Sequence, residues 1–384
     1  MVGNGLHVET KTKLSVVKYF ILLIFTVLFI SSCKNPQIKK EKNAIFYVGT
    51  YTNKDSKGIY KYSLSEKGKI DSLGLATSVL NPSYLTKSAD KKTLFVVEET
   101  DKNGTGFVRS YKIKNDSLEF LSKQESGGAH PCFIAINKEN YLLTANYTGG
   151  NVGLLKAKKS GELSTLLDTQ QHIGKGTTNR QESAHAHSVW FHPTKKEIIS
   201  VDLGTNELWF STIDASKNSF NFTNQKKLQM APGAGPRHLT FHPTNNWIYV
   251  LNELNNTVSL VKEKDAIYYV ETSISTLPKT FTEFSKAADI HISNDGLFLY
   301  ASNRGHESIV IYKVNPENGY LTNVGYQNVR GEHPRNFSLS LDNKFLLVAN
   351  QDTNNIISFK RNKETGTLTF VDEISAPTPV CILF

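Results

Sequence analysis

Cysteine is scarce in this chain: three in 384 residues. Cys132 and Cys381 fall inside separate apolar stretches in different repeat units, two units apart. That placement reads as two inert buried thiols, not a disulfide or a metal pair. Long apolar runs are also missing. Tyr19–Ile30, at 12 residues, is short for a membrane-spanning helix and matches the h-region of a signal peptide. Sustained helical periodicity is absent after Cys33. Acidic residues are outnumbered, 35 against 44 Lys+Arg, for a formal charge of +9. Yet the lysines stand in scattered turns, such as Lys91-Lys92, Lys158-Lys159 and Lys195-Lys196. No basic stripe carries interleaved aromatics, so the pattern is a solvated surface and not a nucleic-acid footprint.

The first residues read as targeting sequence. Lys11, Lys13 and Lys18 precede the apolar run, and Ile30-Ser31-Ser32-Cys33 follows it. Small residues before a cysteine resemble a bacterial lipobox. The expectation is a signal peptide over 1–33, lipidation at Cys33, a polar tether over 34–43 and a folded domain over 44–384. The stretch before Lys18 is long for an n-region, and a start near Val16-Val17 would shorten it. This leader predicts a lipoprotein facing the periplasm or exterior, touching the membrane only through its anchor. If the leader is misread, the protein is cytoplasmic.

What the chain has in quantity is one phrase, used seven times. It runs Pro, an alternating apolar stretch, a polar turn, a second apolar stretch, then Asn, Asp or Glu. Its anchor falls at Pro82, Pro131, Ala186, Pro236, Ala288, Pro334 and Pro379, in steps of 49, 55, 50, 52, 46 and 45 residues. A period of about 45–55 built from short alternating strands predicts an all-β, seven-bladed propeller with four-stranded antiparallel blades. In the fourth unit the spacing predicts strands over Arg237–His242, Trp247–Leu251, Thr257–Lys262 and Ile267–Ser275. Asp168–Ala184 reads as an irregular insertion. Ala44–Tyr51 looks like a second strand lacking a first, and Pro377–Phe384 like a first lacking a second. Pairing them closes the ring and leaves no open edge.

In such a meander the start of each first strand and the end of each second strand share a rim. Residues after the anchors (Ser83, Cys132, His187, Arg237, Asp289, Arg335, Val380) therefore neighbour Glu98-Glu99, Asn146-Tyr147, Asp202-Leu203, Asn252-Glu253, Asn303-Arg304 and Asn350-Gln351. His187, Arg237, Glu253, Arg304 and Arg335 can converge on a positively biased funnel suited to a small carboxylate or phosphate. His130, His333, Asn146 and Gln351 are further candidate substrate contacts. Plainer roles stay open: Arg237 and Arg335 could tie blades through carbonyls, and Glu253 could only neutralise Arg237. His185 and His187 share a strand face, but no third ligand at a clean spacing supports zinc. His192 and His242 precede prolines at the opposite rim and read as structural.

At these residues the chain resembles the lactonase family of seven-bladed propellers, which includes the propeller-type 6-phosphogluconolactonases and the carboxy-muconate lactonizing enzymes. The stretches that carry the resemblance are Gln181–Val189, Gly233–His238, Asn252–Asn255, Tyr300–His306 and Val348–Asp352, within a similarity spanning roughly Phe46 to Phe384. The resemblance implies catalysis by one His, two Arg and one Glu, which map to His187, Arg237, Arg304 and Glu253, with no metal or organic cofactor. His291 departs from the Arg that many relatives carry, two residues into the strand. The implied reaction is hydrolysis of an anionic sugar lactone, with His187 and Glu253 as acid and base in either order. Sugar-phosphate lactones are cytoplasmic, so an exported protein points instead to an extracytoplasmic lactone. Lyase or lactonizing chemistry on a dicarboxylate, and a non-enzymatic binding platform, are the competing classes.

Overall fold

The computed structural model describes residues 43–384 except residue 116. The leader, Cys33 and nearly all of the tether lie outside the described residues. Asn43–Phe384 forms one compact unit. Its strands make seven four-stranded antiparallel sheets arranged as a ring, with no helix among the described residues. Blade one holds Ala44–Thr50, Gly58–Leu64 and Ile70–Ser78, and its innermost strand is the distant Pro379–Leu383. Blades two to seven start at Leu85, Pro131, Ala186, Pro236, Lys286 and Pro334. Adjacent innermost strands pack against one another around the whole ring.

The core is divided among the blade-to-blade interfaces. Phe345, Leu347 and Ala349 of blade seven meet Phe46, Val48 and Ile382 of blade one. Tyr249, Leu251 and Leu260 of blade five meet Ile290, Leu299 and Ala301 of blade six. This explains the strand chemistry. Inner and second strands are sandwiched between neighbours, so Ile248–Asn252 is buried at every position and reads as a continuous apolar run. Outer strands such as Ile267–Ser275 have one wet face and mix exposed and buried residues.

The strand boundaries differ slightly from expectation. The inner strand of the fourth repeat runs Pro236–Phe241 and the second Ile248–Asn252, while the third extends to Lys264. Asp168–Ala184 is not wholly irregular: Asp168–Gln171 is the outer strand of blade three, and only the stretch after it connects to blade four. His192 and His242 sit at the rim opposite the anchors, where each Nδ1 accepts two turn N–H groups at 3.1–3.2 Å.

Ring closure is a strand pairing between the chain's ends, Tyr47 with Leu383 through Thr50 with Pro379. Val380, Cys381 and Ile382 are buried there. Burying each such side chain contributes about 2 kcal/mol, and a net stability of about 5–15 kcal/mol is all a domain has. A chain ending at Thr378 is therefore expected to lose its cooperative thermal transition. Retention of the full melting temperature in that truncated chain would show that closure is dispensable.

Candidate functional site

Two repeated backbone devices build the site. The first is a clamp. In blades two to five and seven, the carbonyl just before the anchor accepts the N–H of the residue one past the phrase's closing Asn, Asp or Glu. The pairs are Glu99 to Asn81 (3.0 Å), Tyr147 to His130 (2.9 Å), Leu203 to His185 (3.0 Å), Glu253 to Gly235 (2.7 Å) and Gln351 to His333 (3.1 Å). Several of the accepting residues are left-handed: φ is 40° at Asn81, 52° at His130, 59° at His333 and 62° at Gly235. Gly235 suits that backbone. It also leaves no room for a side chain, because a Cβ there would lie 2.4 Å from Leu254 Cγ.

The second device is a bulge. Pairing of the two inner strands skips one residue just after the anchor, leaving Cys132, His187, Arg237 and Arg335 without a partner opposite. Val380 is skipped in the same way. A bulged residue is re-aimed out of the ladder, here toward the ring's centre. Ser83, Cys132, His187, Arg237, Arg335 and Val380, all of them expected at the rim, share one small cavity with Glu99, Tyr84, His238 and Asn336. Its volume is about 10 Å³, the room of a single water molecule.

Glu253 sits at the electrostatic centre. Its Oε2 lies 2.9 Å from Arg237 Nε and 2.9 Å from Arg304 Nη2, and its Oε1 lies 3.5 Å from Arg180 Nη2. Glu253, Arg237 and Arg304 are all at most 5 % exposed, so these charges feel one another through little water. Burial by itself raises the Glu253 carboxyl, but the Arg304 and Arg237 guanidiniums override it and hold the group down at about 2. Arg237 also donates to Ala288 O of the next blade, and Arg304 donates to Ala287 O at 2.9 Å. The blade-tying role and the ion-pair role thus coexist in Arg237. Arg335 makes no such tie. Its Nη2 donates to the Tyr51 hydroxyl at 2.8 Å, and that hydroxyl donates to Glu99 at 3.0 Å. Four guanidiniums face two carboxylates, so the funnel is net positive.

His187 is buried against the cavity. Its Nδ1 is 3.8 Å from Cys132 Sγ, and Tyr147 and His238 stand edge-on at 5.4 Å. Burial, then the Arg237 charge, pull its pKa well below the ordinary 6.5. The ring is therefore neutral near pH 7. Cys132 is a buried free thiol whose pKa burial pushes far up, so it stays protonated. Beneath these groups, His238 Nδ1 pairs with Asp289 Oδ1 at 2.8 Å, and its Nε2 lies 3.3 Å from Arg237 Nη1. Asp289 Oδ2 also takes Asn336 at 2.6 Å and His291 at 3.0 Å. The departure at His291 thus falls on the support of Asp289 and not in the cavity.

Other expected contacts are placed differently. Asn146 is fully buried, and its amide donates to Ser126 O at 3.1 Å and Asn151 Oδ1 at 2.8 Å. Asn303 and Asn350 donate likewise to Thr276 O and Val329 O of the preceding blade. In these three blades the closing Asn therefore ties neighbouring blades together, whereas Asn252 donates to Thr257 and Ser259 of its own blade. His130 and His333 serve the clamp through their backbones. The His130 ring bonds Thr148 at 2.9 Å, and the His333 ring lies 3.4 Å from Asp352. Burial, then Arg304, hold His333 down at about 4. Gln351 donates to Asp352 at 3.1 Å. His185 stacks on Tyr147 and pairs with Glu182 at 3.1 Å. Among the described residues no group of three or more His, Cys, Asp or Glu could hold a metal ion.

Sequence reasoning missed Arg180 and Tyr51. Arg180 arrives on the connection before blade four, where its Nη2 also meets the Tyr147 hydroxyl at 2.8 Å. Arg180 has no place in the repeated phrase, but Tyr51 does: it follows the second strand of blade one, and its N–H closes the same clamp on Thr378 O at 3.2 Å.

A family model described as Lactonase, 7-bladed beta-propeller matches residues 45–384. The chain belongs to that family. It is 37% identical to a 6-phosphogluconolactonase of Bacillus subtilis (strain 168) over 299 residues, covering 76% of this chain and 84% of that one. A solved structure from Bacteroides fragilis NCTC 9343, provisionally assigned as a 6-phosphogluconolactonase, superposes with a TM-score of 0.83 at 34% identity, over 91% of this chain and 99% of that one. The periplasmic gluconolactonase of Pseudomonas aeruginosa superposes with a TM-score of 0.84 at 28% identity, over 89% and 98%. The named lactonase relatives are carboxylic ester hydrolases.

The ion cluster carries a stability prediction. Glu253→Gln leaves two buried guanidiniums facing a neutral amide, and losing one partner of a buried pair costs about 3–5 kcal/mol. Because the folded pKa of about 2 lies below the ordinary 4.5, this carboxylate stabilises the fold fully above pH 4.5. That contribution is lost as pH falls from 4.5 toward 2. Urea unfolding across that range should show an acid limb in the wild type that is smaller in Glu253→Gln. Identical curves would mean that the cluster does not couple to folding.

Proposed function

We propose that the protein hydrolyses a sugar lactone to its aldonic acid, in the manner of a 6-phosphogluconolactonase. The observation that carries this reading is the shared cavity. A neutral imidazole (His187) and two guanidiniums (Arg237, Arg335) face space for one water, with Arg304 and Glu253 directly behind.

Lactone opening needs a nucleophilic water, a sink for the oxyanion and a proton for the leaving alkoxide. His187 takes a proton from water as its oxygen bonds to the carbonyl carbon. Arg237 faces the developing oxyanion with a charge already in place, so little reorganisation is needed at the moment of reaction. The ring C–O bond then breaks, and the His187 imidazolium returns its proton to the alkoxide. Glu253, ionised beside two guanidiniums, is a poor proton donor and holds Arg237 and Arg304 in place instead. Arg335 and Arg180 are positioned for the substrate's anionic end.

An exported enzyme meets unphosphorylated lactones, and one similar structure is that of a periplasmic gluconolactonase. The discriminating assay compares 6-phosphoglucono-δ-lactone, glucono-δ-lactone and a uronic lactone, each corrected for spontaneous opening. His187→Ala and Arg237→Ala should each lower corrected kcat/KM by about 100-fold or more. Wild-type rates in both variants would overturn the assignment. Arg180→Ala should raise KM for an anionic lactone with kcat little changed, whereas an equal loss in kcat would move Arg180 into the chemistry. With His187 pulled well below 6.5, the ascending limb of the pH–kcat/KM profile should lie below that value. A limb centred at 6.5 or above would point to another base.

A further inference from the structure

Each blade brings two positions together at the site rim, one at the start of its first strand and one at the end of its second. In blade two they are Asn81 and Glu99, in blade five Gly235 and Glu253, in blade seven His333 and Gln351. Blade six shifts the frame by one residue. There Ala287, not Ala288, stands opposite the closing Asn303, as Pro236 does opposite Asn252 and Pro334 opposite Asn350. The corresponding rim pair is therefore Lys286 and Arg304, which lie directly opposite in the ladder. Residues so placed put their side chains on one face, with Cβ atoms about 5 Å apart, and like charges there repel. Among the described residues blade six is the one blade whose rim pair carries two full positive charges.

Arg304 is answered by Glu253, 2.9 Å away. Lys286 is not: among the described residues no carboxylate lies within 4.0 Å of its amine. The side chain is half-buried. The Phe284 ring, 5.5 Å from its Nζ, is itself 77 % exposed and is a weak counterpart for a whole charge. Burial, then the Arg304 charge, lowers this amine below its ordinary 10.5, and Arg180 and Arg335 add to the effect. Lys286 in turn joins Arg304 and Arg335 in keeping His333 neutral. Lys286 does not line the small cavity that holds His187 and Arg237; it stands one cross-strand step beyond Arg304. That places it for a group distant from the reacting carbonyl.

We infer that Lys286 is a specificity-determining residue whose ammonium holds the distal phosphate or carboxylate of an anionic sugar lactone, so that the opposed charges of blade six are balanced when that substrate is bound. Phosphate and carboxylate offer the ammonium the same chemistry, an oxyanion accepting a charge-assisted hydrogen bond, and the test separates the two. That the ligand is a lactone rests on the proposed activity; the anion subsite does not.

The test titrates glucose, glucuronate and glucose 6-phosphate into the purified protein, as wild type, Lys286→Met and Lys286→Arg, followed by ligand-observed NMR. Wild type is expected to bind at least one of the two anions more tightly than glucose. Lys286→Met should weaken that anion by about tenfold or more, the usual contribution of a hydrogen bond to a charged group, and Lys286→Arg should keep most of it. In hydrolysis, KM for the matching uronic or 6-phosphorylated lactone should rise by a similar factor in Lys286→Met with kcat little changed, so that preference over glucono-δ-lactone falls. Removing one of two opposed like charges relieves repulsion, so the melting temperature of Lys286→Met should not fall. A lower melting temperature with equal losses on neutral and anionic lactones would make Lys286 structural and overturn the inference. No preference for either anion in the wild type, or unchanged anion binding in Lys286→Met, would overturn it too. Lys286-dependent anion binding without turnover of any lactone would support the subsite and remove the lactonase reading instead.

Discussion

The site depends on one hydrogen bond made in blade after blade, six being of this kind: the N–H after the second strand donating to the carbonyl before the anchor of the first. Within blades two to five and seven that bond joins two positions 17–18 residues apart and sets them next to each other at the rim. In blade five it puts Glu253 beside Arg237. A ring of blades then brings these local pairs to a common centre, and the bulge after each anchor turns the first-strand residue inward. The accepting residue must tolerate a left-handed backbone in several blades, a conformation that costs non-glycine residues of order 1–3 kcal/mol. His130, His333 and Asn81 adopt it all the same, held there by the strands on either side.

Electrostatics decides what such a centre is suited to. Buried ion pairs are poor evidence for stability, since desolvation consumes much of the Coulomb gain. Their value here is orientation. Glu253 holds two guanidiniums while remaining charged, Asp289 holds His238 against Arg237, and Tyr51 links Arg335 to Glu99. Positive charge exceeds negative in a place with little water. His187 is thereby kept neutral, with a lone pair available for a proton. Groups fixed in this way suit a reaction in which negative charge moves from a water to a carbonyl oxygen to an alkoxide.

The two rims of the ring answer to different constraints. At the site rim the clamp fixes the backbone, and Glu253, Arg237 and Arg304 are buried and paired. At the far rim the turns are held by Asn, Asp and His side chains capping backbone N–H groups, which leaves lysines in them free for solvent. Ala44, paired with Leu64, lies at that second rim.

Much of this was legible in the sequence. The 45–55-residue phrase determined blade number, strand count and the end-to-end closure, because a propeller's local pairing repeats wherever its pattern repeats. The anchor positions also determined which first-strand residues reach the cavity, Cys132, His187, Arg237 and Arg335 among them. Other features were not legible. Asn146 resembles a rim residue in the phrase, but only packing shows that its amide is taken up by the neighbouring blade. Arg180 lies in a connection outside the repeat, so no periodicity marks it, while Tyr51 ends the second strand of a blade whose first strand comes from the other end of the chain. The sequence by itself determined what recurs, since recurrence is local hydrogen bonding and apolar burial; only the tertiary structure decided which charges from different blades meet, because that is set by ring geometry and by the desolvation it imposes.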